Sequence, residues 1–360
     1  MITQDLKGGG SVTLQQAINS QVSDAHAAAH MAHMNGDDGM VSDHANLLNL
    51  FPDASDPDVA VALNGGSWFD ASTWSTGKVP VDGQSVYIPA GVSVVYDDVS
   101  NQRLDKVAVD GELHFAVATD TKMVVDTLLT GPSSVLTIGT ENNPVQNNVT
   151  AEILIHRDNG PINVAEDPSQ LSKGVVTHGA VSIAGQDKDD YVNVSDYPEK
   201  GDTFLTFSER PDGWKVGDKL VVAGTKFVGE NEFQDEVVTI KSIVNLGNGN
   251  FRVNLNETLQ YDHIPPDNSV GVEFNVPVAN YTRNVQIGTE INDSDYTDDG
   301  KTVPIDERGH VMFMHNPNVS VQNAEFIELG RTDKSQLLDD DDNVAGRYAV
   351  HFHRTGGEVG

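Results

Sequence analysis

Short strand-like segments separated by turn residues dominate the chain from Val59 onward, and they constrain its fold more than any other feature. SVYIPAG, SVVYDD and MVVDTLLT are examples, and turn residues recur about every 8–12 residues. Because no helix-length pattern separates these segments, we expect an all-β chain, built as either a sandwich or a parallel β-helix. From Asn284, the near-regular spacing of NVQIGT, HVMFMH and YAVHFH favours stacked coils of a right-handed β-helix.

The N-terminal residues 1–56 have a different, Ala- and Gln-rich texture. We predict a helix from Thr13 to Met34, ended by Asn35–Gly39, and a second short helix in DHANLLNLF that Pro52 stops. The first helix places three histidines on one face, where they could bind a soft metal: His26, His30 and His33. The alternative, which we favour, is a helix that docks on the end of the β structure and protects its open edge.

Residues 176–275 predict a small antiparallel β unit. GWKVGDKLVVAG has the pattern of a hairpin, and DEVVTIKSIVNLGNGNFRVNLNETL has the pattern of another. The Asn-Gly pair within Gly247–Asn250 predicts a tight turn in the second hairpin.

Charge and cysteine content exclude several classes of function. The chain has 54 acidic and 22 basic residues, a formal net charge of −32, and no cysteine. Nucleic-acid binding needs clustered Lys and Arg, so nucleic acid is not an expected partner. Disulfides and thiolate chemistry are excluded, no apolar run is long enough to span a membrane, and no signal-peptide pattern is visible at the N-terminus. The composition is typical of a secreted or surface protein of bacteria.

The stretch GRYAVHFHRTGG contains the most suggestive histidines. Strand alternation places His351 and His353 on one face, opposite their apolar neighbours, which we expect to face the core. His310 and His315 lie in a neighbouring coil and point oppositely unless a turn intervenes, and His310 is the expected partner of the pair. Such a cluster could bind Zn²⁺ or Cu²⁺, act as a general base on sugar, or serve only in structural hydrogen bonds.

Acidic loops offer a second type of metal ligand. The sequence DDDDN precedes the histidine strand, and its carboxylates could bind calcium: Asp339, Asp340, Asp341 and Asp342. A solvated acidic loop is the simpler interpretation, and the similar stretch NDSDYTDDGK lacks the Gly and Glu that a calcium loop needs. Ca²⁺ and Zn²⁺ are therefore the cofactors that this sequence could use, and the sequence alone establishes neither.

Several stretches in order resemble the G8 domain family, named for eight glycines. The first is GGSWFDASTWSTGKVPVDGQSVYIPAG, with Trp68, Trp74, Pro80 and Gly83, followed by VDGELHF and LTIGT. THGAVSIAG, GWKVGDKLVVAGT, FQDEVVTI and RGHVMFMHNPNVSVQNAEFIELG extend the resemblance, which ends with GRYAVHFHRTGG and covers residues 57–357.

This resemblance implies a right-handed parallel β-helix of the pectin-lyase-like kind, with G8 coils at its N-terminal end. It also implies an extracellular or cell-surface location, a polysaccharide partner, and further coils in a larger polypeptide. The domains that we expect are a helical segment at 1–56, a G8 domain at 57–175, the antiparallel unit at 176–275 and the start of the β-helix at 276–360.

Two functions fit this sequence. One is a polysaccharide-binding, adhesion or structural module; the alternative is a carbohydrate-active enzyme, a hydrolase or lyase, with a groove near His351. The candidate catalytic residues are His351, His353, His310 and Arg354. The candidate substrate-binding residues are Arg308, Arg347, Gln234 and Glu236. The net charge of −32 would repel an acidic polysaccharide unless this basic set or bound cations offset it.

Overall fold

A computed structural model describes residues 10–21, 38–226, 229, 233–265, 275–292, 295–297, 300–316, 318–339 and 343–355. The predicted helix histidines His26, His30 and His33 lie outside these residues, as do Asp340–Asp342. The chain forms two compact units, Met1–Gly185 with Asn284–Gly360 (unit 1) and Gln186–Arg283 (unit 2). Strands dominate both, which confirms the predicted all-β class.

Unit 1 begins with helices α1 (Leu14–Gln21) and α2 (Asp38–Leu48). Its first strands are β1 (Ala60–Val61), β2 (Gly66–Ser67), β3 (Val86–Ile88), β4 (Ser93–Tyr96), β5 (Val99–Val109), β6 (Glu112–Phe115), β7 (Thr121–Thr130), β8 (Val135–Ile138), β9 (Ala151–Ile155), β10 (Gly174–Thr177) and β11 (Ala180–Ala184). Short 3-10 helices cover Ala71–Thr73 and Ile305–Glu307.

Unit 2 contributes β12 (Tyr191–Asn193), β13 (Phe204–Phe207), β14 (Lys219–Val222), β15 (Glu236–Gly247), β16 (Asn250–Leu255) and β17 (Pro277–Asn280). Unit 1 then continues with β18 (Val285–Thr289), β19 (Tyr296–Thr297), β20 (Gly300–Lys301), β21 (His310–Met314), β22 (Val319–Gln322), β23 (Ala324–Ile327) and β24 (His351–His353).

Two parallel sheets organise unit 1. Sheet I has the order β1-β3-β5-β7-β10-β21-β24, with β9, β18 and β23 on a branch from β7. Sheet II has the order β2-β4-β6-β8-β11-β22. From β1 to β8 the chain passes alternately from one sheet to the other, so each circuit in this region adds one parallel strand to both.

Strand alternation sends every second side chain of sheet I into the space between the sheets. On β21, Val311 and Phe313 join this interior core, while Met312 and Met314 face the other way. Aromatic rings stack within the core: the Trp68 and Trp74 ring centroids are 4.7 Å apart, and Tyr96 stacks on Phe115 at 5.1 Å. The Trp74 indole N–H donates to the Trp68 carbonyl at 2.7 Å, so its polar group is satisfied.

The outer face of sheet I is also apolar, and the N-terminal helices cover it. Ala17 of α1 and Leu47 of α2 pack in one cluster with Tyr87, Leu129 and Met312 of the sheet. The helices therefore lie on the face of the sheet, whereas the sequence predicts that the first helix docks on the end of the β structure. The physical reason is that a parallel sheet with two apolar faces must have both covered.

The helix boundaries differ from the prediction. The described part of the first helix is α1, and the remainder of the predicted Thr13–Met34 helix falls outside the described residues. The second helix begins at Asp38 and ends at Leu48, so it includes residues that we had assigned to a helix terminator. Among the described residues, no helix is long and apolar enough to span a bilayer.

Unit 2 is an antiparallel sheet with the order β12-β17-β14-β15-β16-β13. Strands β15 and β16 form the predicted hairpin, and its turn residues Asn248 and Gly249 have φ of 55° and 85°. Two positive φ values are typical of the tight turn that Asn-Gly favours. GWKVGDKLVVAG, in contrast, contains only β14, because Gly213 and Gly217 make turns before a single strand. That strand pairs with β15 and β17.

Leu128 of β7 tests the interior core. Its side chain is fully buried between the sheets, so Leu128→Ala should lower the free energy of unfolding of unit 1 by about 2–5 kcal/mol. Val81→Ala, at a position 52% exposed, is the control and should stay within about 0.5 kcal/mol. Denaturant titration measures both, and equal costs would contradict the assigned core.

Candidate functional site

A groove of about 950 Å³ in unit 1 lies beside the starts of β10 and β21. Its charged lining residues are Arg157, Lys173, Asp306, Glu307, Arg331, Asp333, Asp339 and Arg347. The amides of Gln170, Gln336 and Asn343 also line it. The groove brings together two residues that the sequence predicted, Arg347 and Asp339, with cations that it did not single out.

Arg331 and Arg347 bind main-chain carbonyls on the groove wall. Arg331 donates to the carbonyls of Lys173 at 3.0 Å and Ser172 at 2.9 Å, and Arg347 donates to that of Gln170 at 2.9 Å. Within the described chain, neither guanidinium makes an ion pair with a carboxylate. Burial and the nearby charge of Arg347 lower the pKa of Arg331 to about 9, so it remains a cation at neutral pH.

The other groove cations have local partners. The Arg157 guanidinium binds Glu307 and lies 2.5 Å from Asp295, and the Lys173 amine donates to the Gly160 carbonyl. Burial lowers the pKa of Lys173, with the nearby charge of Asp126 opposing the shift. Arg157 is therefore largely neutralised by carboxylates, whereas the Lys173 amine bonds a neutral carbonyl.

His310 begins β21 and is completely buried behind Arg331. Its Nδ1 lies 2.9 Å from Arg331 Nη1 and 3.2 Å from the Lys173 carbonyl. Gly174 makes room for this ring, since a Cβ there would lie 2.6 Å from His310 Nδ1. Burial, reinforced by the charges of Arg331 and Arg347, lowers the pKa of His310 well below its usual value.

The two histidines of β24 follow the predicted alternation. His351 pairs with Met312 and His353 with Met314, whereas the Phe352 ring contacts the interior Phe313 ring in a tilted arrangement, with centroids 5.0 Å apart. Phe352 is nevertheless 56% exposed, although we had expected it to be covered by the core. It occupies the last strand of sheet I, where no further described strand packs over it.

Each β24 histidine has a defined partner. His351 Nδ1 lies 2.8 Å from the Gly346 carbonyl, and burial lowers the pKa of this imidazole. His353 Nε2 lies 2.9 Å from Asp43 Oδ2 of α2, and the exposed Arg354 approaches the same oxygen at 3.7 Å. The neighbouring ring of His353 across the strands is His315, at 5.6 Å, rather than the expected His310.

His315 reaches this face because a turn does intervene after β21. Its φ of 55° breaks the strand alternation that would otherwise send it inward. Its ring then lies 5.2 Å from that of His178, which follows β10, and His178 lies 4.5 Å from His44 of α2. A row of rings therefore runs from His44 through His178 and His315 to His353.

Two triplets in this row could hold a metal ion. The ligand atoms of His44, His178 and His315 lie within 4.8 Å of one another, as do those of Asp43, His315 and His353. Sequence reasoning missed Asp43, His44 and His178. The available signal was that HVMFMH and VVTHG both place a histidine directly after a parallel strand.

Asp43 supplies negative charge to the row. Partial burial opposes ionisation of its carboxyl, but hydrogen bonds from His315 and His353 and the charge of Arg354 outweigh burial. The pKa of Asp43 is consequently held well below its usual range, and the carboxylate is ionised at neutral pH.

The remaining predicted residues lie elsewhere. Arg308 donates to the Val303 carbonyl at 2.8 Å and pairs with Glu328 at 3.0 Å. Gln234 and Glu236 belong to unit 2, where Glu236 accepts from the Gln260 and Tyr261 amides and lies 2.9 Å from His263 Nε2. Their roles in substrate binding, like the calcium role of Asp339–Asp342, stay predictions.

The chain is similar to several known proteins. Residues 73–194 match the sequence model of the G8 domain. A G8 domain-containing protein of Dictyostelium discoideum is 24% identical over 296 residues, which cover 80% of this chain and 19% of the relative. Protein rliB of the same organism is 25% identical over 295 residues, 79% of this chain and 23% of rliB.

Human cell surface hyaluronidase CEMIP2 is also similar. It is 31% identical over 154 residues, which cover 42% of this chain and 10% of CEMIP2. The chain thus spans about a fifth of the Dictyostelium relatives and a tenth of the human one.

The buried His310 predicts a pH dependence of stability. An unfolded histidine takes up a proton near pH ~6.5, whereas folded His310 does so only at much lower pH. The unfolded state therefore binds more protons as pH falls from 7.5 to 5.5, and the folded state loses stability by up to about 1.4 kcal/mol per pH unit.

Substitution of His310 should remove this contribution. We expect a shallower fall of the unfolding free energy in His310→Gln, while Met312→Leu, in the same strand, should keep the wild-type slope. Arg331, Arg347 and His351 also face this ring and remain unchanged in both variants. Parallel pH curves for wild type and His310→Gln would contradict the buried neutral state.

Proposed function

We propose that this G8 domain protein is an extracellular or cell-surface module that binds polysaccharide. Unit 1 is a right-handed parallel β-helix in this proposal, supported by strands that alternate between two parallel sheets. The surface location is supported by the similarity to a human cell surface hyaluronidase.

The observation that carries the proposal is the groove defined by Lys173, Arg331 and Arg347. At about 950 Å³ it is large enough for several sugar rings. Its amides and carboxylates match sugar hydroxyls, which both donate and accept hydrogen bonds. The groove is therefore chemically suited to a glycan chain.

Charge selects the class of glycan. The chain carries a net charge of −32, yet Arg331 and Arg347 line the groove with carbonyl and imidazole partners and, among the described residues, no carboxylate partner. Arginine recognises carboxylates by paired, charge-assisted hydrogen bonds. We therefore assign an acidic, uronate-containing polysaccharide to the groove, with hyaluronan as the test ligand because of the name of the human relative.

Two groove variants of opposite charge test this function. Lys173→Gln removes a cation without disturbing the Arg331 and Arg347 contacts, and should weaken binding of hyaluronan oligosaccharides about tenfold, or ~1.4 kcal/mol. Asp306→Asn removes an exposed carboxylate of the same groove, and should leave binding equal or tighter. Calorimetry measures both affinities.

Lys78→Gln, exposed and outside the groove, is the matched charge control, and neutral dextran is the control ligand. Equal weakening by Lys78→Gln and Lys173→Gln would assign the effect to overall charge. Failure of wild type to bind either polysaccharide would overturn the proposed function.

Glycan cleavage is the second candidate, and the geometry of His351 favours it. Its Nδ1 lies 2.8 Å from a carbonyl oxygen, so Nδ1 carries the proton and Nε2 has the free lone pair. The lowered pKa of His351, caused first by burial, keeps the ring neutral. A neutral imidazole is the form that a general base needs in hydrolysis or elimination.

Product sizing separates the two functions. If the chain cleaves hyaluronan, His351→Gln should lower the rate at least about 100-fold, while His114→Gln, beside Glu112 on another strand, should not. Unsaturated uronate at the new chain end would identify a lyase. Cleavage at an unchanged rate in His351→Gln would remove this residue from the reaction, and intact hyaluronan would leave binding as the function.

A further inference from the structure

We propose that the His44, His178 and His315 triplet is a binding site for a borderline divalent cation of the Zn²⁺ class. The three imidazoles come from three separate elements, α2 and the ends of β10 and β21. Their residues are only 1%, 3% and 7% exposed, and their ligand atoms lie within 4.8 Å of one another. This convergence of buried nitrogen ligands is independent of the polysaccharide groove.

His315 is the member that points most directly to a ligand. Its side chain is fully buried, its Nε2 lies 3.5 Å from Asp43 Oδ2, and its Nδ1 has no hydrogen-bond partner among the described residues. Burial of an unsatisfied polar group costs about 1–3 kcal/mol. Its unusual backbone, with φ of 55°, also turns the ring toward the cluster. Coordination by a metal ion would use a ring lone pair that the protein leaves unused.

The donor set selects the class of metal. Imidazole nitrogen suits Zn²⁺, Cu²⁺ and related ions, whereas Ca²⁺ and Mg²⁺ prefer oxygen ligands. Zinc binds histidine at about 2.0–2.1 Å in a tetrahedral arrangement. Nitrogens at that distance from a tetrahedral ion lie about 3.4 Å apart, so coordination would draw the three rings together from their present spacing of up to 4.8 Å.

Asp43 and His353 complete the surroundings of the triplet. Asp43 Oδ2 lies 3.5 Å from His315 Nε2 and 2.9 Å from His353 Nε2. A carboxylate beside these imidazoles supplies charge that compensates a divalent cation, either as a fourth ligand or by orienting the ligand rings. His353 is half-buried at the outer end of the row and gives the cluster an approach from solvent.

The histidine triplet and the groove lie at opposite ends of β21. His310 starts β21 at the groove, and His315 follows the end of the same strand, roughly 16 Å away at ~3.3 Å per residue. Metal binding is measured without polysaccharide, so its failure and a failure of the proposed glycan function are separate results.

Zinc titration of the chelator-treated full chain tests the site. We expect one Zn²⁺ per chain by calorimetry, a rise in the thermal unfolding temperature, and intense visible absorption when Co²⁺ replaces Zn²⁺. His178→Gln should weaken Zn²⁺ binding more than about 100-fold and abolish the Co²⁺ spectrum, and Asp43→Asn should weaken it about 10–100-fold.

His156→Gln is the matched control. His156 is also buried, and it follows β9 as His178 follows β10, but it bonds the Leu104 carbonyl at 2.9 Å. It should retain Zn²⁺ binding, and circular dichroism without metal verifies that each variant folds. If His178→Gln does not fold, the Zn²⁺ affinity of Asp43→Asn and the Co²⁺ spectrum of the wild-type chain test the site instead.

Two results would overturn the proposal. One is a wild-type chain that binds no stoichiometric Zn²⁺. The other is Zn²⁺ binding that survives in His178→Gln but disappears when His26, His30 and His33 are all replaced by Gln, which would assign the ion to those three histidines.

Discussion

Sheet I is apolar on both faces, and the covering of these faces organises the rest of unit 1. Leu128 and Leu129 are adjacent in β7 and both fully buried, one in the interior core and the other against the N-terminal helices. Sheet II closes the interior, while α1 and α2 cover the outer face. Parallel sheets are stable when both faces are removed from water in this way. The N-terminal segment is thus part of the fold of the sheet.

Parallel strands also place equivalent strand ends at the same edge, and the polar chemistry of unit 1 collects at these edges. Lys173 precedes β10, His310 begins the neighbouring β21, and the two residues meet beside the groove. His178 and His315 follow the same two strands and meet at the opposite edge. The apolar middle of each strand, represented by Met312, separates the two groups. A single short strand therefore serves one cluster at each end.

Sequence patterns predicted the strands well because alternation and turn residues are local properties. The Asn-Gly turn before Asn250 and the placement of His351 and His353 on one face of β24 both depend only on residues that are adjacent in sequence. The groove was harder to predict, because Arg331 and Arg347 meet the segment around Gln170 only through long-range folding. Backbone exceptions were also invisible to alternation, as the positive φ of His315 shows.

Helix α2 couples the hydrophobic cover of sheet I to the histidine row. Leu47 packs into the outer-face cluster, and His44, one turn earlier on the same face, meets His178. Asp43 reaches His353 from the adjacent position, and Asn46 donates to Ser169 at 2.5 Å on the segment that binds Arg347. Because one helix makes all these contacts, the row is assembled only when α2 docks. A cation bound by the row would therefore stabilise the docked helix, and through it the covered face of the sheet.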